Sequence, residues 1–276
     1  VSTQAEAMRL HTAGRLPVSQ DIEHSHVVVV GSGKGGVGTT TAAALLALCA
    51  ASRGSEVLLV DAAEGIGALH LLLGAQPRGT LASLRGGGVE PQDLVVPLAD
   101  TLHLLPGGDA EGSEPLSPAE RRVLFRRVSS LYDRYDLVVV DGGSRLDPVL
   151  AACASGAGLL LAVTTPERIS LAGAYALLKA AHLRAPGLPV EVLLNAADAD
   201  GAGAAWAHLR AGTEAFLART VALAGSVPED ASLRAGVGAG MLLQDAATAS
   251  PVADALDEVA ARLASAFGHA SRGTRG

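Results

Sequence analysis

The chain has 276 residues, 49% of them hydrophobic, which is ample for one large α/β domain or two small ones around a buried core. Twenty-one lysines and arginines against 28 aspartates and glutamates give a formal net charge of −7, which argues against a general affinity for nucleic acid or anionic lipid. Cys49 and Cys153 sit in alanine-rich apolar contexts, no secretory signal is read at the start, and no run reaches the ~18 apolar residues of a membrane span, so reduced thiols in a cytoplasmic protein are expected.

Residues 1–26 are polar and are read as an N-terminal arm. His11, His24 and His26 are irregularly spaced, without a nearby Cys or carboxylate cluster, and are taken as solvated rather than metal-binding. The stretch from Thr3 to Leu10 predicts a short helix that stays marginal until it docks. From Val27 onward strands and helices alternate. Strands are expected at 27–30, 56–60, 101–105, 137–140, 159–163, 190–194 and 221–224, and helices over 42–51, from Ser117 onward, and near 170–184, 203–219 and 251–267. The start at Ser117 is the clearest: serine caps, Pro118 takes the first helical position and Glu120 completes a capping box. Arg121, Arg122, Arg126 and Arg127 of that helix are read as a solvated face. The alternation predicts a three-layer α/β fold over 27–268, a mostly parallel sheet of about seven strands with helices on both faces and ligands at the carboxyl ends of the strands. Residues 269–276 are read as a disordered tail.

The most informative stretch is Gly31-Ser32-Gly33-Lys34-Gly35-Gly36-Val37-Gly38-Thr39-Thr40-Thr41, between a β-branched run and an alanine-rich helix. A strand, a glycine loop and a helix N-terminus together hold a phosphate, because glycines let backbone N–H groups converge and the helix dipole adds positive charge there. The G-x-x-x-x-G-K-[ST] spacing from Gly33 expects lysine at 39, where the chain has Thr39. The first six residues also satisfy G-x-G-x-x-G, and Asp61 ends the second strand where a dinucleotide fold places its ribose acid. Against that reading, the loop runs on through Gly38 into three threonines, and Asp141 ends another buried strand. Hydroxyl and acid so placed suit the Mg of a nucleoside triphosphate.

Lys34 within Lys34-Gly35-Gly36-Val37-Gly38 resembles the signature lysine of the deviant Walker ATPases of the MinD/ParA superfamily. The segments from Val60 to Gly74 and from Tyr135 to Asp141 resemble that family's second motif and Walker B strand. Val163-Thr164-Thr165-Pro166-Glu167-Arg168-Ile169-Ser170, with Ala174-Tyr175-Ala176-Leu177-Leu178-Lys179, is similar to the flagellar-number regulator branch, FlhG or FleN. The resemblance implies ATP or ADP with Mg as cofactors and a nucleotide-sandwich homodimer. In it Lys34 reaches the partner's phosphates and Lys34 and Asp61 are catalytic. The loop residues Gly33, Lys34, Gly35, Gly36, Val37, Gly38, Thr39, Thr40 and Thr41 would cradle the phosphates, Thr40, Asp61 and Asp141 would hold Mg, and Asn195 and Pro228 would line the base. It also implies that Gln4, in Thr3-Gln4-Ala5-Glu6-Ala7-Met8-Arg9, contacts a partner GTPase like FlhF. No nucleic-acid partner is expected.

Two departures limit the chemistry carried over. Thr39 replaces the phosphate-binding lysine, and Ala63 replaces the second acid, which orients the attacking water. Binding with weak or absent hydrolysis is therefore expected. The alternatives are an active ATPase in which Lys34 substitutes, and an interaction scaffold without nucleotide. An iron–sulfur reductase would need two cysteines at a dimer face, whereas Cys49 falls mid-helix and is expected to be buried. The last helix, with Asp254, Asp257 and Glu258, reads as packed on the domain rather than lying on lipid.

Overall fold

The computed structural model describes residues 24–63, 65, 67–108 and 116–271; Gln4 and the helix expected from Thr3 to Leu10 lie outside them. In chain order the elements are β1 (His24–Gly31), α1 (Thr39–Ser52), β2 (Val57–Asp61), α2 (Leu69–Leu72), β3 (Val96–Ala99), β4 (Leu102–Leu105), α3 (Pro118–Val128) and β5 (Leu137–Asp141). They continue with α4 (Leu146–Cys153), β6 (Ala157–Thr164), α5 (Arg168–Arg184), β7 (Val190–Leu194), α6 (Ala199–Leu217), β8 (Ala222–Ser226), α7 (Ala231–Gly238), α8 (Leu243–Ala246) and α9 (Pro251–Ser271). All seven expected strands are present. The sheet has eight, in the order β3-β4-β2-β5-β1-β6-β7-β8, parallel except for β3. The added strand is four residues long, carries Pro97 and sits at an edge, where a residue without an N–H costs the ladder least.

The central strands are continuously apolar over 27–30, 57–60 and 137–140 because both faces of the sheet are covered there. In β1, Val27 and Val29 enter one core while Val28 and Val30 enter the other; β2 and β5 divide in the same way. Each fully buried valine contributes about 2 kcal/mol by burial alone. One core lies under α3, α4, α5 and α6; the other lies under α1 and α9. Alanines 42, 43, 44, 47 and 50 let α1 lie close between the sheet and α9, whose Val252, Leu256, Val259 and Leu263 face inward. The apolar face of α9 is thus already buried, and no helix among the described residues is long and apolar enough to cross a membrane. Cys153 is buried, which pushes its thiol up to about 12. Cys49 is only half-buried, with Sγ donating to the Ala253 carbonyl on α9, and burial again raises it, to about 11.

The arginines of α3 do not form one solvated face. Arg121 is buried, and Arg127 donates to the carbonyls of Leu84 and Val89 at 2.6 and 2.7 Å, fastening the segment before β3; only Arg122 and Arg126 are exposed. The predicted cap holds: the Glu120 N–H donates to Ser117 Oγ, and the Ser117 N–H to Glu120 Oε2.

Candidate nucleotide site

The register of the central strands brings the site together. Val30 pairs with Asp141 across β1 and β5, and Asp61 pairs with Asp141 across β2 and β5, so the glycine loop and both acids emerge at the same end of the sheet. The loop passes through left-handed backbone at Gly36 and Gly38, φ +79° and +89°. Gly38 is the N-cap of α1, and the first turn of that helix carries no acid to neutralise its dipole. Gly35 and Gly36 are exposed at the tip, whereas Val37 is buried and anchors the loop.

Gly33 answers a steric demand as well. A Cβ there would lie 1.8 Å from the carbonyl oxygen of Gly173 on α5, and a Cβ on Gly173 would lie 2.7 Å from that of Gly33. This contact of backbone on backbone seats α5 against the loop. Gly173→Ala is expected to cost about 2 kcal/mol in urea unfolding, because neither backbone can yield without the other. An unchanged midpoint would refute the seating.

Lys34 is partly exposed, and its Nζ lies 3.3 Å from Glu167 Oε2 just ahead of α5, where the Ser170 hydroxyl also donates. The signature lysine is thus paired within its own chain. Thr39, at the place of the phosphate lysine, is turned inward: it is buried, and its Oγ1 donates to Ser32 Oγ at 2.8 Å, while the Ser32 hydroxyl donates to the Lys34 carbonyl at 3.0 Å. The substitution therefore removes a cation and adds an internal hydroxyl chain that braces the loop.

Asp61 and Asp141 are both buried. Asp61 Oδ2 accepts from the Leu69 N–H at 3.2 Å and Asp141 Oδ1 from the Gly143 N–H at 3.0 Å, while Asp61 Oδ1 and Asp141 Oδ2 have no close hydrogen-bond partner among the described residues. Burial and then the neighbouring Asp141 push the Asp61 carboxyl up to about 7, against the pull of backbone N–H groups from Leu69, Ala63 and Ala68. Burial also raises Asp141, opposed by a hydrogen bond from the Thr40 side chain. Two orphaned carboxylate oxygens with a threonine hydroxyl beside them form an oxygen-only set that suits Mg, and an added cation would relieve the repulsion between the acids. Thr41 is half-buried one residue further along α1.

Asn195 follows β7 and is tied to the loop: its Nδ2 donates to the Val37 carbonyl at 2.7 Å and lies where a Cβ on Gly38 would fall. Pro228, half-buried, follows β8 in the next loop, and the Ala197 N–H donates to the Val227 carbonyl between the two. Ala63 borders a cavity of about 20 Å3 that Asp61 and the buried Arg121 also line. Its Cβ lies 3.1 Å from where a Cβ on Gly143 would be. The sequence points to no site role for Glu167 or Gly173, and it reads Arg121 as part of a solvated face. Only Glu167 carried a signal, its place in the segment that ends at Ser170.

The family model described as cellulose biosynthesis protein BcsQ matches residues 25–188. The antiactivator FleN of Pseudomonas aeruginosa is 32% identical over 213 residues, 76% of this chain and 76% of that protein. The chain belongs to the MinD/ParA superfamily of P-loop proteins, in the FlhG/FleN branch. The septum site-determining protein MinD of Thermotoga maritima is 34% identical over 146 residues, a match that spans 51% of this chain and 53% of that protein. Among solved structures, the cell division ATPase MinD of Pyrococcus furiosus superposes with a TM-score of 0.71 at 27% identity, over 87% of this chain and 98% of that one. That fold shared across 87% of the chain accounts for the sheet order and for the site at the carboxyl ends of its strands.

Proposed function

We propose that this member of the superfamily is an ATP-binding regulatory protein of the FlhG/MinD type that hydrolyses ATP weakly or not at all and acts in flagellar number or placement control. The observation that carries the first part is the inward Thr39. Glycines 33, 35, 36 and 38 with the open N-terminus of α1 keep the phosphate cradle, while the cation that would lie against the β- and γ-phosphates is replaced by a hydroxyl already spent on Ser32. Thr40, Asp61 and Asp141 would hold Mg, and Asn195 and Pro228 would border the base. Mg would supply charge neutralisation of the phosphates. With Ala63 in place of an acid, no carboxylate at that position orients a water. Lys34 would reach a partner copy's phosphates in a homodimer once it leaves Glu167.

The flagellar part is supported by the likeness to FleN and to the flagellum site-determining protein YlxH of Helicobacter pylori, 28% identical over 153 residues. Contact of Gln4 with a GTPase is supported by the sequence resemblance alone. Calorimetry with Mg-ATP beside a phosphate-release assay tests the reading. Saturable binding without turnover above background is expected. Turnover at the rate of a relative with an intact loop would overturn the loss of hydrolysis, and absence of any binding would leave an interaction scaffold.

A further inference from the structure

Once Arg121 and Arg127 are accounted for by packing and backbone contacts, two arginines of α3 have no structural role. Arg122 and Arg126 are exposed, sit one turn apart, and form no ion pair among the described residues. Like charges at i and i+4 on a helix are mildly destabilising, so folding gains nothing from keeping both. Arg122 stands on the rim of a groove of about 60 Å3 between α3, α4 and α5, with Arg184 of α5 on the same rim. The floor is aliphatic and mostly small: Leu150, Ala151 and Ala154 from α4, and Ala185. Among the described residues lining it one acid is present, Asp147, whose Oδ1 lies 3.5 Å from Arg184 Nη1, with both side chains more than half exposed. Arg122 and Arg184 against Asp147, with exposed Arg126 one turn beyond Arg122 on the same helix, leave this face with an excess of positive charge among the described residues, on a chain whose formal net charge is −7.

We infer that this groove docks an acidic amphipathic helix of a partner protein. The charge pattern selects the chemistry. Carboxylates flanking an apolar stripe would meet Arg122 and Arg184, and Arg126 one turn further along α3, while an aliphatic side chain would enter the floor, where alanines let a helix approach closely. Nucleic acid fits less well, because its backbone wants an unbroken track of cations, and here the track is interrupted by Asp147 over an apolar floor. The inference does not depend on nucleotide binding, since none of these residues touches the phosphate loop.

The test uses the full chain and two labelled synthetic helices with leucines at i, i+3, i+4 and i+7, one flanked by glutamates and the other by lysines. Fluorescence anisotropy should show saturable binding of the glutamate helix and none of the lysine helix. Arg122→Glu with Arg184→Glu should weaken the glutamate helix about tenfold or more, since rim charges steer and hold such a partner. Ala151→Trp, which fills the floor, should abolish binding. Arg234→Glu, on the exposed surface of α7, should change nothing. Both groove arginines are exposed, so the charge-reversed chain is expected to keep its circular dichroism spectrum and unfolding midpoint. Failure of the glutamate helix to bind, or binding that survives the charge reversal, overturns the inference. So does saturable binding of oligothymidylate that the reversal removes, which would make the face a nucleic-acid surface.

Discussion

Thr39→Lys together with Ala63→Asp is expected to raise phosphate release from Mg-ATP by at least ~10²-fold over the parent chain, the scale on which a single preorganised charge acts in phosphoryl or acyl transfer. The two substitutions act on different terms. A lysine at 39 must swing out of the inward pocket that threonine occupies, giving up the hydrogen bond to Ser32, a loss of about 1 kcal/mol. In return it places a cation in the phosphate cradle, so Thr39→Lys alone should tighten Mg-ATP binding without restoring turnover. An aspartate at 63 has space on one side, the small cavity it would share with Asp61, and is confined on the other by Gly143. Alone it adds a third carboxylate to a site without a phosphate cation, and should weaken binding. If the double variant binds Mg-ATP tightly and still releases no phosphate, the loss of activity has another cause than these two positions.

The second large effect concerns the buried acids. Asp61→Asn should raise the thermal midpoint at pH 8 and flatten its dependence on pH. The sign follows from the direction of the shift. The carboxyl is pushed up from 3.8 to about 7 in the folded chain, so the folded state binds the proton more tightly than the unfolded one. Stability contributed at this position is therefore fully present below about pH 4, is lost progressively as the pH rises toward 7, and is not regained above it. Asparagine keeps an oxygen for the Leu69 N–H and removes the charge that Asp141 repels. A gain of ~2 kcal/mol at pH 8 would raise the midpoint by roughly 4–8 °C in a chain of this size. Parallel melting profiles of the two chains between pH 5 and 8 would refute this. Mg binding calls for the ionised acid, so in the parent chain Mg-nucleotide affinity should improve as the pH rises through about 7, and Asp61→Asn should remove that improvement.

Much of the molecule was legible in its sequence because the cues were local or periodic. Apolar runs of four or five residues ending in Asp61 and Asp141 could only be strands buried on both faces, and Ser117-Pro118-Ala119-Glu120 could only begin a helix. β3 escaped notice because a four-residue edge strand with Pro97 has almost no pattern of its own; pairing with β4 creates it. The short α4, eight residues long, was missed for a related reason: it has no side-chain cap and its stability comes from packing. α7, also eight residues, did carry a local cue, the Asp230 cap that accepts from the Ser232 and Leu233 N–H groups, but it is too short for a helical period to show.

The phosphate loop divides in the same way. Its identity, its glycines and the absence of lysine at 39 and of an acid at 63 follow from the order of residues alone, since each is a statement about spacing along one strand, loop and helix. Which way Thr39 faces, that Glu167 holds Lys34, and that Gly33 is required by Gly173 were decided only by the fold, because each depends on residues far apart in the chain being brought within a few ångströms. The arginines of α3 show the point most directly. Sequence alone placed four cations on one helix, and packing alone decided that Arg121 and Arg127 turn inward, that Arg126 stays exposed, and that Arg122 stands at a groove that does not exist until α4 and α5 are beside it.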